Sequence, residues 1–275
     1  MAAPRMQALE HLDAATLGRV RGVLTDIDDT LTRDGAIESV ALEALLRLQA
    51  QRLPVIAITG RPAGWSEPFA LQWPVQAIVA ENGGVMLRRG SDGLQRRFAQ
   101  GEAERECNFG RLQACAAAVL REIPGAQLAR DSAGRLTDIA VDHSEFAQLD
   151  APGIAQVVAL MRRHGLNATV SSIHVNGWIG HHTKWTAAQW AVQRCTGEAL
   201  DADKWLYVGD STNDQLMFDR IPLSVAVANI ARFLPQLDVL PAFVTRSERG
   251  AGFAELTDAL LAAHGLIPPG PGSGA

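Results

Sequence analysis

The sequence predicts an α/β protein: a parallel sheet with helices on both faces, interrupted by an inserted α+β unit with an antiparallel sheet. Short, wholly apolar runs alternate with helical spacing at both ends of the chain, whereas the middle shows hairpin-like spacing around turn residues. With 275 residues and 47% hydrophobic content, the chain can bury one large core, or a core and a smaller second one.

In order, Val23-Leu24-Thr25 forms the first apolar strand and runs into Asp26-Ile27-Asp28-Asp29-Thr30. Ser39 can cap a helix in which Val40, Leu42, Leu45 and Leu46 recur at near-helical spacing, stopped before Pro54. Val55-Ile56-Ala57-Ile58 is a second buried strand, 65–71 a helix or turn, and Ala77-Ile78-Val79-Ala80 a third strand. Near the other end, 205–208 and 224–227 read as strands, 213–220 and 254–263 as helices. Between them lie a strand at 94–99, a helix at 109–122, strands at 127–130 and 136–141 flanking Asp131-Ser132-Ala133-Gly134, a helix at 153–164 and a closing strand at 168–176. The expected division is a core of 20–85 and 179–266, an insert of 86–178, and a tail of 267–275 too rich in Pro and Gly to build helix or strand.

The net charge of -5 and a pI near 5.8 argue against a nucleic-acid surface, which needs a basic face. Cys107, Cys115 and Cys195 are widely spaced with no CxxC, suggesting neither a disulfide framework nor a zinc site; a reducing cytoplasm is expected. No run approaches the ~18 apolar residues a membrane span requires, so no membrane partner is expected.

Chemistry gathers where apolar runs end. Residues two apart on a strand share a face, so Asp26 and Asp28 can converge at the carboxyl edge of the sheet, hold a divalent metal and divide nucleophile and acid roles. Thr59-Gly60-Arg61 ends the second run and offers a hydroxyl to a phosphoryl oxygen. Gly209-Asp210-Ser211-Thr212-Asn213-Asp214 ends another, with Asp210 available to metal and Asp214 one helical turn on. Lys184, one of only two lysines, opens a helix after His181-His182-Thr183. Each fragment alone also fits a turn, a helix cap or a solvated surface. Together they supply the nucleophile, cation, metal seat and oxygen donors that phosphoryl transfer needs.

So assembled, the sequence resembles the haloacid dehalogenase superfamily of phosphotransferases. Its DxDxT motif matches Asp26, Asp28 and Thr30; its second motif matches Thr59, its third Lys184, and its GDxxxD motif Gly209, Asp210 and Asp214. Glu81-Asn82-Gly83-Gly84 resembles the ENG segment that precedes C2 caps, and the insert falls where such caps lie. The detail is that of subfamily IIB, which includes Cof-type sugar phosphatases, sucrose-phosphate and mannosyl-3-phosphoglycerate phosphatases and phosphomannomutases. Asp29 stands where many members have glycine.

The resemblance covers about 21–266 and implies a Rossmann-like core with a C2-type cap and an aspartyl-phosphate formed on Asp26. It further implies that Asp28 acts first as acid and then as base, and that Mg2+ is held by Asp26, the Asp28 carbonyl and Asp210. Lys184 and Thr59 would meet the phosphoryl oxygens, with Asp214, Asn213 and Asn82 in support. A closing cap favours a small phosphorylated metabolite, a sugar phosphate or phosphoglycerate-type ester. A sugar phosphomutase, or a non-catalytic module on the same fold, are the alternatives. Arg130, Arg135, His143, Ser172, His174 and Asn176 are polar residues on insert strands or their edges, available to a leaving group or to solvent; Trp178 and Trp185 can stack on a sugar or pack at the junction. Oligomeric state is not legible.

Overall fold

The structure, a computed structural model, describes residues 6–266, so the tail expected at 267–275 lies outside the described residues. Its large sheet runs in the order Gln7–Ala8, Phe243–Val244, Ser224–Ala226, Trp205–Gly209, Gly22–Thr25, Val55–Ile58, Ala77–Ala80, Val85–Gly90 and Gly93–Phe98. The first seven strands are parallel. Gly22–Thr25 is central, with Val23 opposite Leu206 on one side and Val55 on the other. Every residue of the four strands Gly22–Thr25, Val55–Ile58, Ala77–Ala80 and Trp205–Gly209 is buried, as sheets covered on both faces require. Parallel register brings Asp26, Thr59 and Asp210 to one edge, because each directly follows a strand of this group.

The insert has its own antiparallel sheet, ordered Asn167–Val170, His174–Trp178, Asp138–Asp142 and Gln127–Leu128, with helices Glu102–Glu122 and Ala151–Arg163 packed against it. A separate core containing Leu112, Val119, Val141, Leu160 and Val175 holds it together.

Several boundaries differ from the expectation. Residues 86–98, assigned to the insert, form the hairpin Val85–Gly90 and Gly93–Phe98 and extend the large sheet, with Met86 and Leu87 in its core. The two-residue turn Ser91-Asp92 before Gly93 (φ 113) reverses the chain, and the insert begins only beyond it. Helix Glu102–Glu122 starts before 109 because its first turns are mostly exposed and polar and carry no apolar period. The strand expected at 168–176 is two strands, reversed at Ser171, whose hydroxyl accepts the His174 N–H at 3.0 Å. Ser39 is the first residue of helix Ser39–Ala50 rather than its cap; Glu38 stands in the cap position and instead accepts the Gly250 N–H. Residues 213–220 open as a 3-10 turn, Thr212–Asp214, before helix Gln215–Arg220, and the last helix begins at Arg249. A hairpin absent from the sequence reading, Thr32–Arg33 with Ala36–Ile37, turns on Asp34-Gly35, both at positive φ (52 and 76). No helix among the described residues is long and apolar enough to cross a membrane. The three cysteines are free.

Candidate active site

The Asp26 N–H donates to the Val208 carbonyl at 2.8 Å, which extends the strand pairing by one residue and fixes where the Asp26 side chain leaves the sheet. Lys184, the first residue of helix Lys184–Thr196, reaches the same point. Thr183 and Thr186 form a capping box ahead of it, fixing the helix start. The Lys184 ammonium donates to Asp26 Oδ1 at 2.8 Å and to Asp214 Oδ1 at 2.7 Å, all three side chains being buried. Residues 158 positions apart in sequence thus form one ion pair.

Asp26, Asp210 and Asp214 each place a carboxylate oxygen within 4.8 Å of the others. Their roles separate on hydrogen bonding. Asp214 accepts four donors: Lys184 and the Tyr207 hydroxyl at Oδ1, and the Asp210 and Ser211 N–H groups at Oδ2. It is spent as an orienting group. Asp210 Oδ2 accepts from Asn229 at 3.1 Å, while its Oδ1 is buried with no partner among the described residues. Burial pushes the Asp26 carboxyl up to about 7, with Asp214 and Asp28 adding to the rise and Lys184 opposing it. Burial, then Asp214 and Asp26, raises Asp210 too. Burial lowers Lys184, but Asp214 and Asp26 outweigh it and hold the ammonium charged. A compact, dry cluster of hard oxygen donors, one of them unpartnered, fits a divalent cation such as Mg2+.

Asp28 faces a different partner. Arg61 Nη2 lies 2.8 Å from Asp28 Oδ1 and 2.7 Å from Glu145 Oε1 of the insert, and Nη1 is 3.4 Å from Asp131. The guanidinium ties Asp28 to the insert and away from the acidic cluster. His174 contacts Glu145 at 3.0 Å; burial raises Glu145, but the bonds from His174 and Arg61 outweigh this and hold its carboxyl down at about 2. Thr59 is fully buried, its hydroxyl accepting the Arg61 N–H, and its carbonyl accepts the Asn82 N–H. Asn82 sits at φ 54, its Nδ2 buried without a partner. Asn213 accepts from the Ser211 hydroxyl, and Thr30 is buried with an unpartnered hydroxyl.

Among the insert candidates, Arg135 and Asn176 both donate to the Gly60 carbonyl and so seat the insert on the Thr59 loop. His143 bonds Ser171, Arg130 stacks on Phe146, and Ser172 lines a cavity of about 290 Å³ beside Asp28. Trp178 is buried at the junction; Trp185 packs on the large core. The acidic and histidine trio Asp142, Glu145 and His174 is occupied by its own bonds, with Asp142 taking four backbone N–H groups.

Sequence reasoning gave Arg61, Glu81, Tyr207, Asn229, Arg232 and Arg249 no role. Glu81, fully buried, accepts N–H groups of Ala63, Leu136 and Thr137 and so staples core to insert. Asn229 links the Asp29 carbonyl, Asp210 and the Arg249 N–H. Asp29, at φ 54, is held by Arg249 at 2.7 Å and Arg232 at 3.1 Å. In sequence, Arg61 and Glu81 were marked only by their places in Thr59-Gly60-Arg61 and Glu81-Asn82-Gly83-Gly84, and the neighbouring Asp29 by its departure from glycine; Tyr207, Asn229, Arg232 and Arg249 carried no mark.

The fold and site together define an α/β scaffold with a second, antiparallel unit and a buried lysine–aspartate site at the carboxyl edge of the large sheet. Residues 23–119 match the family model described as haloacid dehalogenase-like hydrolase. The match covers the first part of the chain, from the strand that precedes Asp26 into helix Glu102–Glu122. No curated protein matches it significantly. Its fold is similar to a Thermoplasma acidophilum protein (19% identity, TM-score 0.68, 90% of this chain and 99% of that one). It is also similar to the C-terminal domain of C. albicans trehalose-6-phosphate phosphatase (13%, 0.67, 96% and 100%). A third similar structure is the Synechocystis sucrose-phosphatase in complex with sucrose and phosphate (17%, 0.62, 88% and 98%). At these identities the likeness concerns the fold.

Proposed function

We propose that this chain is a Mg2+-dependent phosphatase that hydrolyses a small phosphate monoester, a sugar phosphate or phosphoglycerate-type ester, through an aspartyl-phosphate on Asp26. The observation that carries the reading is the buried Lys184 ammonium bridging Asp26 and Asp214 beside the unpartnered Asp210 oxygen. Two structures similar in fold are phosphatases of sugar phosphates, which supports the substrate class.

In this reading the free oxygen of Asp26 attacks phosphorus, the ester P–O bond breaks, and Asp28 gives its proton to the departing alkoxide. Water then attacks the phosphoryl group, Asp28 takes its proton, and the Asp26–phosphorus bond breaks to release phosphate. Lys184 and Thr59 hold the phosphoryl oxygens, Asp214 fixes the lysine, and Asn213 and Asn82 stand beside them. Asp26, the Asp28 carbonyl and Asp210 would hold the cation, which supplies charge neutralisation between carboxylate and phosphate when bound. Arg61 must release or carry Asp28 as the insert moves, so cap position and acid position are linked. The insert closes the site to bulk water.

Asp26→Asn is expected to lose hydrolysis and phosphoenzyme together, measured by phosphate release and by acid-quenched labelling with a 32P ester. A variant hydrolysing esters at the parent rate sinks the assignment. Free phosphate as product, rather than an isomeric sugar phosphate, separates hydrolysis from mutase chemistry.

A further inference from the structure

A second cavity, of about 320 Å³, opens on the Lys184 side of the site. The core contributes Asn82, Lys184 and Asn213 to its wall, and the insert contributes Arg162, Thr169 and Trp178. Among the described residues no carboxylate lines it. The cavity beside Asp28 is the opposite case, with Asp29, Asp34 and Glu145 mixed among its arginines. The Lys184 charge is already met by Asp26 and Asp214, so the cation that favours an anionic occupant here is Arg162, joined by neutral N–H donors on the wall.

Two buried polar atoms on this wall have no partner: Asn82 Nδ2, on a residue only 2% exposed, and Thr169 Oγ1. Arg162 is exposed at the end of helix Ala151–Arg163, and its guanidinium makes no ion pair or hydrogen bond among the described residues. Lys184 spends two of its three N–H bonds on Asp26 and Asp214, leaving one. The donors therefore outnumber the acceptors around a space larger than one tetrahedral oxyanion fills, and the Trp178 ring offers a face for a carbon body.

We propose that this chamber is an oxyanion subsite whose occupant is either the second anionic group of a doubly anionic phosphate ester or free phosphate. The first source rests on the phosphatase reading; the second does not. Arg162 and Asn82 are the specificity-determining contacts, the former by charge and the latter by its unsatisfied amide.

The test compares 3-phosphoglycerate with glycerol 3-phosphate, which differ by a carboxylate, and measures inhibition and thermal shift by inorganic phosphate, in the parent, Arg162→Gln and Asn82→Asp proteins at low ionic strength. If the substrate supplies the anion, the parent prefers the glycerate and the acid-to-neutral ratio of kcat/KM falls about tenfold in either variant, as loss of one charge-assisted contact predicts. If free phosphate is the occupant, the ratio is flat and the phosphate inhibition constant and thermal shift weaken by a similar factor. Ratio, inhibition and thermal shift all unchanged in the Arg162→Gln protein, which loses only an exposed side chain, overturn the proposal. Failure of the phosphatase reading shows separately, as loss of all ester turnover with phosphate-induced thermal shift retained in the parent and weakened in the variants.

Discussion

Lys184 is the residue on which the acidic cluster depends. Among the described residues its ammonium is the only cation bonded to Asp26 and Asp214, and both partners are buried. Lys184→Met keeps most of the side-chain volume but leaves the carboxylates uncompensated in a dry pocket. Breaking a buried pair from one side costs about 3–5 kcal/mol, so the urea midpoint should fall accordingly in metal-free buffer, and turnover should drop with it. An unchanged midpoint would mean that water or another cation screens the cluster. Tyr207 and the two N–H donors occupy the Asp214 oxygens, which suits the orienting role proposed for that carboxylate.

At the scale of elements, the junction of insert and core is built on close backbone approach and on charge. A Cβ added at Gly64, in helix Ala63–Gln72, would meet Gly134 Cα of the insert at 2.9 Å. Gly64→Val therefore forces the two apart; a loss of about 1–3 kcal/mol and a higher KM are expected, read by denaturation and steady-state kinetics. Glu145, held first by His174 within the insert and then by Arg61 of the core, gives the junction a pH dependence through the Arg61 share. Glu145 is held at about 2, below its usual 4.5, so its contribution is present above pH 4.5 and is lost as pH falls towards 2. Small-angle scattering or proteolysis across that range should show the junction loosening in the parent, and Glu145→Gln should flatten the trend. Identical acid profiles would assign the latch to other pairs.

For the molecule as a whole, the proposed function predicts that stability depends on metal and pH together. Asp26 is raised from 3.8 to about 7, so its favourable contribution is complete below 3.8 and is lost as pH rises through 7, when the pocket fills with negative charge. A divalent cation binds the charged form. Mg2+ at a hundredfold excess over its Kd at pH 8 should therefore add about 2.7 kcal/mol there and raise Tm, the same concentration should raise Tm less at pH 5.5, and EDTA should reverse both. Equal shifts at the two pH values would place the cation elsewhere.

Short buried strands were legible because they are uninterrupted apolar runs: Val55–Ile58 and Ala77–Ala80 fall where the sequence placed them. The edge strands Gln7–Ala8 and Phe243–Val244, two residues each, carry no such run. Polar helical turns hid the start of Glu102–Glu122, and the hairpin Val85–Phe98 carried no mark of which sheet it would join. Local composition determined which residues end strands or open helices, and hence that Asp26, Thr59, Lys184, Asp210 and Asp214 were candidates. Tertiary structure alone decided that Arg61 turns Asp28 toward Glu145, that Asn229 braces Asp210, and that Asn82 and Arg162 face one chamber. A chain's local pattern fixes periodicity and strand ends, whereas the partner of a charged side chain is chosen by which distant segments the sheet order and the docked insert bring within bonding distance.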